Sequence, residues 1–478
     1  MNFSISSLNK ITSMKSYFIL LLLILFLTTS LIITFSNNFI KPFTLSSFIN
    51  NKVFAQYAIA PTSPSGPTIN DPNLKAQLVF PPSTKGSTSM AFLGPNDILV
   101  LEKDEGTVKR IINGNLVPQP LLQIPVAIKS ERGMLGMDIA KHKNGPTYVF
   151  LYYTESGGKK IADDTTNGIQ PSANVLYRYE LTNDRLINPK LLLSLPSIPG
   201  PNHDGGKIVV GPDNNIYVII GDLRSHRTQL QNVVDGPPAD KTSVIFRVTQ
   251  DGQPVTNSPL GNSDPLNLYY AYGIRNSFGI DFDPVTGNLW DTENGPNYGD
   301  EINLVYPGFN SGWAQIQGIW SVKGKIGNEN PGSVKINPSN DLVNFGERGK
   351  YLPPQFIWFK TIAPTALKFF NSTKLGKQYQ NDLFVADNNN GNIYNFKLNQ
   401  SRTGFYFNDP KLDDKISNSL KESNSLIFAS GFDGGITDLK IGPDDGYLYI
   451  LTFSGSIYRI IPSTLSIQLP TEPSTTSN

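Results

Sequence analysis

The chain has 478 residues, 40 basic and 39 acidic side chains, a formal net charge of +1 at pH 7, and no cysteine. This balance leaves no basic stripe to release counterions from a nucleic acid, so a nucleic-acid partner is not expected. The absence of cysteine excludes disulfides, thiol nucleophiles and cysteine-ligated metal sites. The 41 glycines, 36 prolines and 11% aromatic residues are typical of short strands joined by tight turns.

The N-terminal segment 1–55 predicts export. Lys10 and Lys15 precede an uncharged apolar run over residues 18–35, which is near the lower length limit for a membrane-spanning helix. Positive charge before such a run places the N-terminus inside and the body outside the cytoplasm. We therefore expect an extracytoplasmic protein, either anchored in the membrane by this helix or secreted after cleavage near Ala55, with the uncleaved anchor favoured. A buried core helix is the alternative.

Two further segments have the composition of flexible chain. Residues 56–75 include a stretch rich in Pro, Ser, Thr and Gly and are predicted to be a linker. Residues 463–478 are similar and are predicted to be a disordered tail. Residues 76–462 then form the folded body.

A two-part unit recurs six times in this body. A turn rich in Gly, Pro, Asp and Asn leads into one strand, and an alternating strand with one buried face follows. The first strands lie near residues 98–100, 147–149, 216–218, 289–290, 383–385 and 447–449, and the second near 107–111, 175–179, 244–248, 301–305, 392–396 and 456–460. One unit cannot bury its apolar face alone, whereas a ring of six can, so the sequence predicts an all-β fold, a six-bladed β-propeller. Two β-sandwiches in series are the alternative.

His203 is the first candidate for chemistry. The chain has three histidines, His142, His203 and His226, and His226 lies in no recognisable motif. His203 stands in the loop Asn202-His203-Asp204-Gly205-Gly206-Lys207, whose glycines allow close approach to a ligand. Histidine is the most common general base near neutral pH. A structural hydrogen-bonding role is the alternative for a loop histidine.

Two later segments carry donors and oxygen ligands. Arg275 and Asn276 lie between glycines ahead of a strand, and the planar guanidinium suits carboxylate or quinone oxygens. A salt bridge between neighbouring blades is the alternative. Carboxylates flank the Gly295-Pro296 turn, and oxygen ligands of this kind suit Ca²⁺. An acidic surface turn is the alternative there.

Together these segments resemble the PQQ-dependent glucose/sorbosone dehydrogenase family over roughly residues 77–462. The resemblance rests on ordered motifs: Arg132-Gly133-Met134-Leu135-Gly136, Asn202 to Gly206, Gly211-Pro212-Asp213, Ile220-Gly221-Asp222, Gly273-Ile274-Arg275-Asn276, Glu293 to Asn303, and Pro307-Gly308-Phe309-Asn310-Ser311-Gly312-Trp313. It implies a six-bladed propeller with PQQ over the central channel and Ca²⁺ beside it. The implied reaction oxidises a sugar or polyol hydroxyl with hydride transfer to the quinone.

The resemblance also implies roles for individual residues. It assigns the general base to His203 and stabilisation of charge on the quinone oxygen to Arg275. Cofactor contacts fall on Glu131, Asn202, Arg275 and Asn276, and calcium-binding carbonyls on Gly295, Pro296 and Tyr298. Glu131 occupies a position at which active members have a polar residue near the cofactor, and Asn202 one at which the glucose enzymes have an acid.

One segment departs from the family. Soluble glucose dehydrogenases of this family have arginines near the last blade turn to hold PQQ carboxylates, whereas residues 432–438 contain none here. Lys368 is the candidate replacement. Because lost cationic partners weaken carboxylate binding, two other functions stay open: a non-catalytic propeller that binds a protein or glycan, and a Ca²⁺-dependent propeller lactonase. The sugar and the electron acceptor are unknown from the sequence.

Overall fold

The computed structural model describes residues 66–82, 86–158, 170–224, 226–333 and 341–464. The predicted signal or anchor segment 1–55 and nearly all of the predicted tail lie outside these ranges. Within them, no helix has the length and apolarity that crossing a membrane requires. Short 3₁₀ helices interrupt the loops at Gln229–Gln231, Leu266–Leu268, Lys377–Tyr379, Pro410–Leu412 and Glu422–Leu426.

The described strands form six sheets of at least four strands, which we number by the chain order of their innermost strands, given first in each list. Sheet 1 contains Ser87–Gly94, Asp97–Glu102, Thr107–Ile112, Asn115–Leu116 and Leu122–Gln123. Sheet 2 contains Met134–Lys141, Thr147–Glu155, Ala173–Thr182 and Arg185–Leu195. Sheet 3 contains Ile208–Val210, Ile216–Ile220, Val244–Val248, Tyr269–Tyr272, Phe309–Asn310 and Lys350–Tyr351.

The second half of the body repeats this plan. Sheet 4 contains Ser277–Phe282, Leu289–Glu293, Asp300–Val305, Phe356–Trp358 and Ile416–Ser417. Sheet 5 contains Pro364–Phe369, Leu383–Asp387, Ile393–Leu398, Phe405–Tyr406, Ile427–Ser430 and Thr68–Ile69. Sheet 6 contains Ile436–Ile441, Leu448–Thr452, Ile457–Pro462 and Leu74–Phe80. A smaller sheet joins Ile316–Gln317, Trp320–Lys325 and Asn328–Pro331.

Each predicted turn-plus-strand pair is the second and third strand of one sheet, so the recurring unit is confirmed. The pairing within these strands is antiparallel in all six sheets. The innermost and outermost strands of each sheet complete a meander that the repeat alone did not indicate.

The six innermost strands form a closed ring. Each contacts the next one in chain order, and the innermost strand of sheet 6 contacts that of sheet 1. Six hydrophobic clusters lie at the six junctions between neighbouring sheets, because each sheet has an apolar side chain row on both faces. This is the arrangement of a propeller-type all-β fold, and the alternative of two β-sandwiches in series is wrong.

The ring is closed by a strand from near the start of the described chain. Leu74–Phe80 pairs with Ile457–Pro462 and supplies the outer strand of sheet 6, while Thr68–Ile69 pairs with Ile427–Ser430 in sheet 5. The predicted linker 56–75 therefore ends earlier than expected, because residues from Thr68 onward are needed to complete two sheets. The polar, Pro-rich composition before them concealed these short edge strands.

The candidate site residues share one end of the ring. Glu131, His203 and Asn276 come just before innermost strands, and Asp222 and Gly295 come just after second strands. Since second strands run antiparallel to innermost strands, these positions meet at the same end of the central channel. We call it the catalytic end, and the opposite end the far end.

Candidate functional site

His203 is held by a buried aspartate. Its Nδ1 lies 2.5 Å from Oδ1 of Asp222, and the two side chains are 9% and 0% exposed. The backbone of His203 has a φ of 67°, an uncommon conformation for a residue with a side chain. When Asp222 accepts the proton on Nδ1, the lone pair of the imidazole is on Nε2, the nitrogen that can act as a base.

Asp222 is fixed from several sides. Its carboxylate accepts hydrogen bonds from the backbone of Arg224 at 2.7 Å, from Nε1 of Trp313 at 2.8 Å and from Nη1 of Arg227 at 3.2 Å. Burial favours its neutral form, but the facing His203 and the bond from Trp313 hold the pKa of Asp222 well below its usual range. An ionised Asp222 therefore orients His203 and stabilises its protonated form.

Glu131 joins the other predicted residues. Its Oε2 accepts from the backbone amide of His203 at 2.7 Å and from Nδ2 of Asn276 at 3.1 Å. Its Oε1 accepts from Nδ2 of Asn202 at 3.3 Å, which also donates to Ser130 at 2.8 Å. Glu131, Asn202, His203 and Asn276 thus form one network built from sheets 2, 3 and 4.

Arg275 reaches the same centre through Trp313. Its guanidinium carbon lies 5.2 Å from the centre of the Trp313 ring, whose Nε1 donates to Asp222. The carbonyl of Arg275 accepts from the backbone amide of Asp222 at 3.0 Å. Gly221 makes this approach possible, because a Cβ there would lie 2.4 Å from the Arg275 carbonyl oxygen.

One of the predicted calcium carbonyls, that of Gly295, already accepts a hydrogen bond from Arg275. Nη1 of Arg275 donates to the carbonyl of Asn294 at 2.7 Å and to that of Gly295 at 3.0 Å. A guanidinium at this carbonyl repels a second cation, so the arrangement does not fit Ca²⁺ at Gly295 while Arg275 stays there. Pro296 is half-buried, and Tyr298 is buried with its ring against Trp320, where burial raises its pKa to about 12.

Buried acids lie behind Arg275 in sheet 4. Glu293 accepts from the backbone of Arg275 at 2.7 Å and stands opposite Glu301 in the strand register. Burial raises the pKa of Glu293 to about 7 and that of Glu301 well above its usual value. Within the described ranges, no group of three or more His, Asp or Glu side chains is placed to hold a metal ion. Through its hydrogen bond with the Arg275 backbone, Glu293 supports the Arg275 loop.

Several buried polar atoms at the catalytic end have no hydrogen-bond partner. They include Nε of Arg275 and the side-chain oxygens Oδ1 of Asn276 and Oδ1 of Asn294. Orphaned buried groups are costly and are rare unless a ligand or water completes them. Of these atoms, Nε of Arg275 is a donor and fits a quinone or carboxylate oxygen of a cofactor such as PQQ, whereas the two amide oxygens are acceptors that need an N–H or O–H from a ligand or water.

The cations expected to hold the cofactor carboxylates are not where the sequence suggested. Lys368 binds Asp281 at 3.0 Å at the far end of the channel, so its interpretation as a replacement is wrong. Its strand position, ahead of a turn, did not reveal the direction in which it points. In the segment without arginine, Asp433 accepts from Tyr458 at 2.7 Å and from Ser456 at 2.9 Å.

Sequence reasoning missed three contributors to this site. Asp222 and Trp313 were seen only as motif members, and Arg227 was not noticed. The guanidinium of Arg227 lies 5.6 Å from the Trp313 ring centre and 3.2 Å from Asp222. The sequence offers one signal for Asp222: it is an acid that comes directly after Gly221, the residue that follows the buried strand Ile216–Ile220.

Sequence comparisons relate this chain to two named sugar dehydrogenases. The 379-residue alignment with aldose sugar dehydrogenase YliI of Escherichia coli (strain K12) is 26% identical and covers 78% of this chain and 89% of that protein. Quinoprotein glucose dehydrogenase B of Acinetobacter calcoaceticus is 26% identical over 416 residues, with coverage of 75% and 81%.

A solved structure shows the same fold. The PQQ-bound aldose sugar dehydrogenase of Streptomyces coelicolor superposes with a TM-score of 0.56 at 20% identity, covering 84% of this chain and 99% of that one. The sequence model of the family described as Glucose / Sorbosone dehydrogenase matches residues 85–459. This match includes every predicted site residue and all but the closing strands of the ring, and the chain therefore belongs to the glucose/sorbosone dehydrogenase family.

Proposed function

We propose that this protein is a quinoprotein sugar dehydrogenase: a six-bladed β-propeller that oxidises a hydroxyl of a sugar or polyol with PQQ bound at the catalytic end. The observation that carries the proposal is the buried Asp222–His203 pair next to Arg275 and Asn276, each of which has one buried polar atom without a hydrogen-bond partner. The family and the named relatives support the same activity.

His203 provides the base. Asp222 holds Nδ1–H at 2.5 Å, so Nε2 takes the hydroxyl proton of the substrate as the carbon–hydrogen bond breaks. The ionised Asp222 stabilises the imidazolium that results, and Trp313 and Arg224 keep that carboxylate from rotating. When bound, PQQ supplies the quinone that accepts the hydride.

Arg275 and Asn276 would hold the cofactor. Nε of Arg275 is a donor without a partner, and its positive charge stabilises negative charge that develops on a neighbouring oxygen. The amide of Asn276 is fixed on one side by Glu131 and leaves its Oδ1 free. Glu131 and Asn202 orient this loop and would contact the cofactor when it is bound.

Calcium is the second proposed cofactor, at the carbonyls of Gly295, Pro296 and Tyr298. Its binding requires Arg275 to release the Gly295 carbonyl, which accepts from Nη1 at 3.0 Å. Rotation of Arg275 toward an anionic cofactor would accomplish this, so we expect calcium affinity to rise when the cofactor is present. No step of the reaction above depends on calcium.

Export of the body is also part of the proposal. The charged and apolar pattern of residues 1–55 supports a signal or anchor, followed by a linker, the propeller up to residue 462 and a terminal tail. The membrane is then a partner only through an uncleaved segment. Intact chain recovered only from cytoplasm after cell fractionation would contradict export.

The decisive experiment is a cofactor titration. The purified body is titrated with PQQ, with and without Ca²⁺, while tryptophan fluorescence is followed, because Trp313 lies beside Arg275. Turnover is then measured with a panel of aldoses and polyols and an artificial electron acceptor. Saturable quenching together with turnover supports the proposal. Absence of both contradicts it and favours a non-catalytic propeller that binds a protein or glycan.

A further inference from the structure

His226 connects the two segments that carry the catalytic pair. Its backbone amide donates to the carbonyl of Asp222 at 3.1 Å, in the loop after the second strand of sheet 3. Its Nε2 lies 3.0 Å from the carbonyl oxygen of Ile198, in the segment that leads directly into Asn202 and His203. The side chain of His226 therefore spans the segments that carry the aspartate and the base.

Both ring nitrogens of His226 face acceptors. Nδ1 is 2.5 Å from Oδ2 of Asp240, a carboxylate, and Nε2 faces the Ile198 carbonyl, which can only accept. A neutral imidazole has one N–H and can satisfy one of these contacts, whereas the imidazolium satisfies both. The geometry therefore selects the charged ring, with no role for a neutral tautomer.

We propose that protonated His226 is a positioning residue for the sugar oxidation, a latch that holds the segment before His203 against the loop of Asp222 and so maintains the Asp222–His203 hydrogen bond. The inference rests on the proposed role of His203 as the base. His226 touches neither substrate nor cofactor and acts only through this pair.

The surrounding charges agree with this assignment. Asp240 is fixed by Thr242, whose hydroxyl donates to its other oxygen at 2.7 Å, and Asp222 lies beyond the His226 backbone. Arg227 faces away from the ring, since its Nη1 contacts Asp222 and the His226 carbonyl and its Nη2 is 3.9 Å from Glu329. On the other segment, Arg132 donates to the carbonyls of Ser197 and Pro199.

The latch has a defined pH dependence. The bond to Asp240, partly opposed by burial, raises the pKa of His226 above its ordinary 6.5. A group whose pKa is raised in the folded state stabilises below its unfolded value and loses that contribution as pH rises through the folded value. The latch is therefore closed at pH values below 6.5 and opens as the pH rises through the raised folded-state pKa of His226.

The test is an NMR titration, in which the few histidines of the chain can each be followed separately. With three in the chain, their ring resonances in cofactor-free protein are assigned by single substitutions and followed by NMR from pH 5 to pH 10. We expect His226 to titrate above pH 6.5 and the His203 resonances to shift in the same step. In His226→Gln that alkaline step of His203 should vanish. His142→Gln, at an exposed histidine that contacts Gln250, is the matched control and should leave it unchanged.

Kinetics provide the second measurement. His226→Gln should lower kcat by about 10-fold at neutral pH, less than the roughly 10²-fold that a 1 Å misplacement can cost. His226→Lys retains a charge to about pH 10 and should recover part of this loss and move the alkaline limb of the kcat profile upward. Asp240→Asn removes the carboxylate that holds the proton and should move that limb downward.

The outcomes separate this inference from the proposed function. A His226 that titrates at or below pH 6.5, or a His203 that does not respond to it, overturns the latch whether or not the protein oxidises sugars. Coupled titration in a protein that shows no PQQ binding and no turnover supports the latch as a physical connection and rejects the proposed chemistry.

Discussion

The two ends of the central channel are built from the same six strands and differ in how their polar groups are satisfied. At the far end a cavity of about 940 Å³ is lined by Asp138, Asp281 and Asp438, and each carboxylate has partners. Lys207 lies 2.5 Å from Asp438, Lys368 lies 3.0 Å from Asp281, and the backbone of Val210 lies 2.7 Å from Asp138.

The catalytic end is arranged differently. Arg275, Asn276 and Asn294 each keep a buried polar atom without a partner, next to the Asp222–His203 pair. Folding alone favours complete pairing, because an unsatisfied buried group costs about 1–3 kcal/mol. The comparison teaches that the charges at the far end are matched within the scaffold, whereas the orphaned atoms of Arg275, Asn276 and Asn294 lie where the proposed ligand would bind.

The largest expected effect comes from the catalytic end. His203→Ala removes the base and should lower kcat by about 10²–10⁴-fold, while PQQ affinity changes little. Because the substitution also removes the partner of the buried Asp222 carboxylate, the melting temperature should fall as well. His142→Ala is the matched control and should leave kcat near wild type. The comparison of the two ends fails if His203→Ala keeps full activity per folded molecule.

Substitutions at the far end should lower the free energy of unfolding. Lys207→Met leaves the carboxylate of Asp438 buried without its cation, and breaking a buried pair in this way typically costs about 3–5 kcal/mol. Urea unfolding measures the loss, and the double variant Lys207→Met with Asp438→Asn should recover most of it. Lys368→Met should cost less, since the Lys368 side chain is 26% exposed, and should keep turnover per folded molecule. Equal losses from the single and double variants would contradict the role of the pair.

Competition between Arg275 and calcium for the Gly295 carbonyl predicts a smaller effect. Removing the guanidinium should change the affinities for PQQ and for Ca²⁺ in opposite directions. Arg275→Gln should weaken PQQ binding by about 10–100-fold, the value of a charge-assisted hydrogen bond of about 1.5–3 kcal/mol. The same change frees the Gly295 carbonyl and should strengthen calcium binding to cofactor-free protein. Calorimetric titrations with PQQ and with Ca²⁺ measure both. A loss of affinity for both ligands would show that Arg275 and calcium do not compete.

The smallest effect is a pair of pH-dependent stability changes. Burial raises the pKa of Asp204, next to His203, to about 7. The folded state therefore keeps a proton that the unfolded chain releases near pH 4. The stability of the folded state falls as the pH rises from about 4 to about 7. Asp204→Asn should raise the melting temperature by a few degrees at pH 8 and change it little at pH 5.

For Asp222 the pH dependence of stability has the opposite sign. Its pKa is depressed, so its contribution is present above the unfolded value and is lost only in acid. Asp222→Asn should lower the melting temperature at pH 8, in contrast to Asp204→Asn. Calorimetry at the two pH values for both variants checks this, and shifts of the same sign would contradict the assignment of the two buried carboxyls.

The sequence by itself determined the repeat and the motifs. Turn residues and period-two alternation are local properties, so the second and third strand of each sheet could be located from the chain alone. The ordered motifs led to His203, Glu131, Asn202 and Asn276, and the structure joins them through Glu131. Short edge strands such as Thr68–Ile69 have too few residues to show a pattern, so the sequence predicts a linker there.

Only the tertiary structure decided which side chains meet. Asp222 faces His203 because the second and innermost strands of sheet 3 run in opposite directions and return the chain to the same end. Lys368 and Lys207 point away from the cofactor region because strand register fixes the face, and a sequence pattern does not show the partner across the channel. Arg275 contacts the Gly295 carbonyl, and His226 connects the segments before His203 and after Gly221, through contacts between residues distant in sequence. Such contacts depend on how the strands of each sheet return to the catalytic end and on how the connecting loops pack there, which local propensity cannot specify.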